Sequence, residues 1–79
     1  MVTSQSIEAS IRSGLECDAV EVGGDGHHFE ALVVSPAFRG LSRVARHRLV
    51  YAAMGDRMRE EVHALSMTTL TPEEASSNG

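Results

Sequence analysis

The chain has 79 residues, a formal net charge of −4, 42% hydrophobic residues and no Trp. A chain this short buries only about 60% of its unfolded surface, which fits one domain and leaves no room for a deep catalytic cavity. Two Phe and one Tyr supply little for stacking on single-stranded bases, the lone Cys17 excludes an internal disulfide or a Cys-only metal site, and neither a signal peptide nor a membrane-length apolar run is legible, so a reducing, cytoplasmic setting is expected.

Residues Thr3 to Ser13 read as a short covering helix. Thr3 or Ser4 can cap it, Ile7 and Ile11 form one narrow stripe, and Gly14 follows as a stop. From Cys17 to Val22, alternation of Asp18, Val20 and Val22 with Cys17, Ala19 and Glu21 predicts a strand that enters a glycine-rich hairpin, Gly-Gly-Asp-Gly. The strand after the turn, His28 to Ser35, carries apolar residues on both faces and ends at Pro36, the pattern of a central strand.

After a connector, PAFRGLS, with Ser42 as N-cap, the spacing predicts a helix from Arg43 to Arg59. Its broad apolar face would hold Val44, Tyr51, Met54 and Met58, with Val50 at the margin and His47 as a structural histidine inside it. Leu49 falls outside that face, either tolerated in solvent or part of a contact surface. Val62 to Leu70 is a third strand, and the segment 71–79, TPEEASSNG, has no apolar anchor and reads as a frayed tail after a single domain spanning 1–70. The second strand, the long helix and the third strand make a crossover long enough for a parallel, right-handed connection. Parallel neighbours start at one end of a sheet, so His28 and His63 should share an edge.

Two imidazoles at one edge can bind a borderline-soft metal without completing a site. Asp25 and His27 lie close by, although an Asp in a glycine turn commonly serves the turn itself. Cys17 sits between Glu16 and Asp18, acids that would raise its pKa and make it a poor nucleophile. No Ser, His and Asp order suggests a triad, and no carboxylate pair suggests acid–base catalysis. Charge is uneven: the segment 31–55 carries Arg39, Arg43, Arg46 and Arg48 and no acid, while every basic residue in the chain is Arg. Four guanidiniums near a helix start suit carboxylate or phosphate, and the overall negative charge ranks an acidic protein partner above DNA.

The hairpin GDGHHFEALVVS, the segment FRGLSRVARHRLVYAAM and the strand VHALSMTTLTPEE together resemble the BolA family, in its order and spacing from Val20 to Glu74. The resemblance implies an α+β fold of the class II KH-like type, α-β-β-α-β, with a three-stranded mixed sheet and its helices packed on one face. It also implies a non-enzymatic adaptor that partners a monothiol glutaredoxin and shares a 2Fe-2S cluster with it, the chain alone binding none stably. His28 and His63 stand at the family's two ligand positions, with His27 an adjacent candidate, and Arg39, Arg43, Arg46 and Arg48 would form the docking surface. Free, such a chain would be a monomer or weak homodimer away from membranes. The alternative is a DNA-binding stress regulator acting through Arg43, Arg46 and Arg48, yet FRGLSR offers one glycine where a nucleic-acid-gripping KH loop uses GXXG.

Overall fold

The computed structural model describes residues 3–25, 27–55 and 65–77. In chain order it contains α1 (Ser4–Gly14), β1 (Ala19–Gly24), β2 (Phe29–Val34), a 3-10 turn (Pro36–Phe38), α2 (Arg43–Met54), β3 (Leu65–Leu70) and α3 (Pro72–Ser77). Strand order is β1-β2-β3. β2 pairs antiparallel with β1, with Val20 opposite Val33, and parallel with β3, with Phe29 opposite Leu65 and Val34 opposite Leu70. The expected α-β-β-α-β order and mixed sheet are therefore present, with α3 added.

Local chemistry explains each boundary. Thr3 Oγ1 accepts from the Ser6 backbone N–H while Ser6 Oγ accepts from that of Thr3, a reciprocal cap that satisfies two orphan donors of α1. Ser35, fully buried, donates its hydroxyl to the Glu16 carbonyl and accepts from the Ala37 N–H, which starts the 3-10 turn. Ser42 Oγ accepts from the Ala45 N–H at the head of α2. Gly55, with φ of 77°, ends that helix by donating to the Tyr51 carbonyl. The helix expected to run to Arg59 thus stops five residues after Val50, at a glycine whose stop signal outweighs the apolar spacing.

Alternation sorts the sheet into two faces. Val20, Phe29, Ala31, Val33 and Leu65 point to one side and pack with Ile7 and Ile11 of α1, Val50 and Met54 of α2, and Phe38 of the turn. Each such side chain contributes about 1.5–3 kcal/mol when fully buried. The other side, with Glu21, Glu30, Ser66 and Thr68 exposed, carries neither α1 nor α2 over its centre.

The buried side of α2 differs from the expected one. Val44 and Tyr51 are 59% and 40% exposed, whereas Val50 and Met54 are buried and Leu49 packs against the core. Arg46 lies on the buried flank, which rotates the helix away from the orientation that apolar residues alone imply. Met58 falls outside the described residues.

The end of the chain is also not a frayed tail. Thr71 Oγ1 accepts from the Glu74 N–H and Glu74 Oε1 accepts from the Thr71 N–H, a capping box with Pro72 at the first helical position. Arg39 then holds Glu73 through two hydrogen bonds, and Arg46 holds Glu74 with Nη1 at 2.7 Å. The Arg46 guanidinium, followed by the Thr71 N–H, pulls the Glu74 carboxyl down from 4.5 to about 2.

Two outcomes follow from these contacts. A Cβ on Gly14 would meet the Ala53 carbonyl oxygen at 2.5 Å and its Cα at 2.6 Å, backbone that cannot swing aside. Gly14→Ala is expected to destabilise the fold by about 1–3 kcal/mol, reversing the usual helix preference for Ala, and to lower the urea midpoint at unchanged m. Gly23→Ala, with nothing within 4 Å of the new Cβ, should change the stability by no more than about 0.5 kcal/mol. Separately, a carboxyl whose folded pKa is depressed stabilises above its unfolded value and loses that contribution on acidification. Amide spectra of Ala75 to Ser77 should therefore move toward random-coil positions between pH 4.5 and about 2, and Glu74→Gln should shrink that acid step to the part carried by Glu73, which Arg39 also holds below its ordinary range.

Candidate functional site

The hairpin between β1 and β2 is organised by one carboxylate. Asp25 Oδ1 accepts from the backbone N–H of His27 at 2.8 Å and of His28 at 2.9 Å, and the Asp25 N–H donates to the His28 carbonyl. These two bonds, His28 first, hold the Asp25 carboxyl below its ordinary range. Gly24 is required beside this turn, because a Cβ there would collide with the His28 carbonyl oxygen and with Phe29. The turn fixes the backbone of both histidines and leaves both side chains exposed.

His28 directly precedes Phe29, and Phe29 is registered with Leu65, the first residue of β3. The parallel connection expected from the sequence is thus observed, and β2 and β3 enter the sheet at one end. His63 itself lies outside the described residues. Among the described residues no group of three or more His, Cys, Asp or Glu is placed to hold a metal ion. The exposed imidazoles at this end are suitable nitrogen donors for a borderline metal, but they would leave coordination positions for ligands from elsewhere.

Cys17 cannot complete such a set. It precedes β1 at the end where Ala19 faces Val34, so the length of a six-residue strand, about 17 Å, separates it from the histidine turn. Its thiol donates to the Leu15 carbonyl, and burial, with a smaller push from Asp18, outweighs Arg12 and raises its pKa. The inert thiol expected from the sequence is present, with burial rather than the neighbouring acids as the main cause.

The four arginines divide into two kinds. Arg39 is committed to Glu73. Arg46 is 14% exposed, donates to the Leu41 and Thr69 carbonyls and to Glu74, and lies over the Phe38 ring at 5.9 Å. It is a tie between α2, β3 and α3, which corrects its expected place on a docking or DNA surface. Arg43 and Arg48 are exposed and form no ion pair among the described residues. Sequence reasoning missed Glu73 and Glu74 as the partners of these cations, although Thr71, Pro72 and Glu74 spell a capping box.

On the open face of the sheet a shallow trough of about 570 Å³ is lined by Glu21, Glu30, Leu32, Ser66 and Thr68 among others. No histidine or cysteine lines it. No helix among the described residues is long and apolar enough to cross a membrane.

Comparison with known proteins agrees with this geometry. Protein BOLA2 of Arabidopsis thaliana is 45% identical over 71 residues, covering 85% of this chain and 75% of that protein. The structure of a BolA homologue from Coxiella burnetii superposes with a TM-score of 0.79 at 47% identity, covering 96% of this chain and 99% of that one. The BolA domain of SufE1 from Arabidopsis thaliana superposes with a TM-score of 0.75 at 32% identity, covering 94% of this chain and 99% of that domain. The family model described as BolA-like protein matches residues 2–74, and the chain belongs to the BolA-like protein family.

Proposed function

We infer that this chain is a non-enzymatic adaptor that partners a monothiol glutaredoxin and lends His28 and His63 to a 2Fe-2S cluster shared between the two proteins. The observation that carries the reading is the turn locked by Asp25, which presents an exposed His28 at the sheet end where β3 also begins. His63 is two residues from Leu65, and two residues of chain reach about 7 Å at most. The occurrence of a BolA domain in a SufE-like protein supports an iron–sulfur context.

The donor count supports sharing. The cluster supplies iron that takes nitrogen or thiolate ligands, and this chain contributes imidazoles while its one thiol stands at the far end of β1. Thiolates therefore come from the partner. Imidazole ligands raise a cluster's potential relative to thiolates and can be protonated, so lending two of them alters the stability or destination of a cluster the partner already holds. Docking then falls to the exposed Arg43 and Arg48, because Arg39 and Arg46 are occupied by α3. The DNA-regulator reading loses Arg46 by the same observation.

The reading is tested by visible absorption and circular dichroism of a glutaredoxin-bound cluster titrated with this chain. Wild type is expected to change the spectrum with an endpoint at one equivalent, and His28→Ala or His63→Ala to abolish the change while the amide spectrum stays native. Both variants matching wild type would remove the histidines from the account. A response lost in His27→Ala and retained in His28→Ala would move the ligand to the neighbouring residue.

A further inference from the structure

β3 is an edge strand, and its free side is chemically legible. The Leu70 carbonyl accepts from the Ser35 N–H on the β2 side, so by alternation Ser66, Thr68 and Leu70 bond inward while Met67 and Thr69 turn their backbone groups outward. The Thr69 carbonyl confirms the phase, since it accepts from the Arg46 guanidinium. The outward N–H and C=O of Met67 and the N–H of Thr69 have no partner among the described hydrogen bonds.

A groove of about 350 Å³ runs along this edge, lined by four consecutive residues of β3, Met67 to Leu70, and by Arg43 and His47 of α2. No residue of β2 lines it, which places it on the outer side of the strand. At 100° per residue, Val44 and Tyr51 follow His47 around α2, with Arg48 just beyond. Val44 and Tyr51 are the two exposed large hydrophobic side chains among the described residues, and they lie between Arg43, which lines the groove, and Arg48, which turns to the outer face of α2. Strand groups without partners among the described residues, an apolar margin and the exposed Arg43 thus lie side by side.

We propose that the outer edge of β3 and the adjoining flank of α2 form a docking groove for an extended acidic segment of a partner protein, which adds to the sheet as a fourth strand and sets a carboxylate against Arg43. Strand addition supplies affinity through the backbone, and alternate side chains supply selectivity. Alternation sends every second side chain of the added strand toward α2, where an acid meets Arg43 at the groove. Nucleic acid is the poorer occupant: two exposed cations neutralise few phosphates, and the nearby Arg39 and Arg46 are already paired with Glu73 and Glu74. The groove lies toward the Leu70 end of β3, away from the Phe29–Leu65 end. The proposal rests on the adaptor reading only in taking a protein as the partner.

The experiment is an amide NMR titration of the full chain with the peptide acetyl-Thr-Glu-Thr-Glu-Val-Glu-Thr-amide, with neither cluster nor glutaredoxin present, so its failure is separate from failure of the cluster titration. Saturating shifts are expected at Met67 to Leu70, with slowed exchange of the Met67 and Thr69 amides and nuclear Overhauser contacts from the peptide backbone to these residues. Replacing each Glu of the peptide by Gln, or making the Arg43→Gln variant, should weaken binding about tenfold. The variant's other amides should keep their positions, because the Arg43 side chain is exposed and forms no ion pair among the described residues. The proposal is overturned by no saturation up to about 1 mM peptide, by equal binding of the Gln peptide, or by shifts that leave β3 untouched. A short DNA duplex that saturates the same amides more tightly than the acidic peptide would also overturn it.

Discussion

The parallel pairing of β2 with β3 is the constraint on which the other features depend. A central strand has backbone groups on both edges that must be satisfied, and the hairpin to β1 meets only one side. Meeting the other in parallel forces the chain to travel back along the sheet before β3 can begin. The Ser35 cap, the Phe38 turn and α2 all lie on that return path, and Phe38, Val33 and Val50 are fully buried where it closes over the sheet. The same pairing sets the Phe29–Leu65 register and so decides that the His28 turn and the start of β3 occupy one end.

Arg46 is the second fixed point, and it changes how the basic segment is understood. A guanidinium has five donors in a rigid fork, and here they are divided among two carbonyls and a carboxylate from three parts of the chain. An uncompensated cation at that depth would be costly, and Glu74 supplies the compensation. What a count of charge shows as a +4 segment is, in space, two arginines consumed in holding α3 and two exposed on α2. The cationic surface is half as strong as the sequence implies, and it is confined to one flank of a helix.

The sheet order, the parallel crossover, the Asp25 turn and the quiet thiol were all legible in the sequence, because each rests on local chemistry: alternation, glycine at a tight reversal, an Asx side chain, burial of a small apolar group. The orientation of α2 was not. Val44 and Tyr51 weigh toward the core in any apolar periodicity, and only the tertiary partner of Arg46, which is 28 positions away in sequence, reveals that the helix is turned to bury a cation. The helix α3 was missed for a related reason. Its six residues bury no apolar side chain, and it is held by polar contacts that hydropathy does not register, although its Thr-Pro-Glu-Glu start carried the capping signal. The shared edge of His28 and His63 is an expectation from parallel connectivity, and their roles as ligands one from family resemblance; the structure places the His28 turn at the end where β3 begins, and His63 lies outside the described residues.

The proposed function requires imidazole nitrogen from this chain to reach iron held by a partner. The most direct measurement is pulsed electron paramagnetic resonance of the reduced cluster in the glutaredoxin complex, with this chain labelled with ¹⁵N at histidine and the glutaredoxin unlabelled. Couplings from two ¹⁵N nuclei, one lost in His28→Ala, are the predicted result. A cluster that stays in the complex and shows no ¹⁵N coupling would contradict the account.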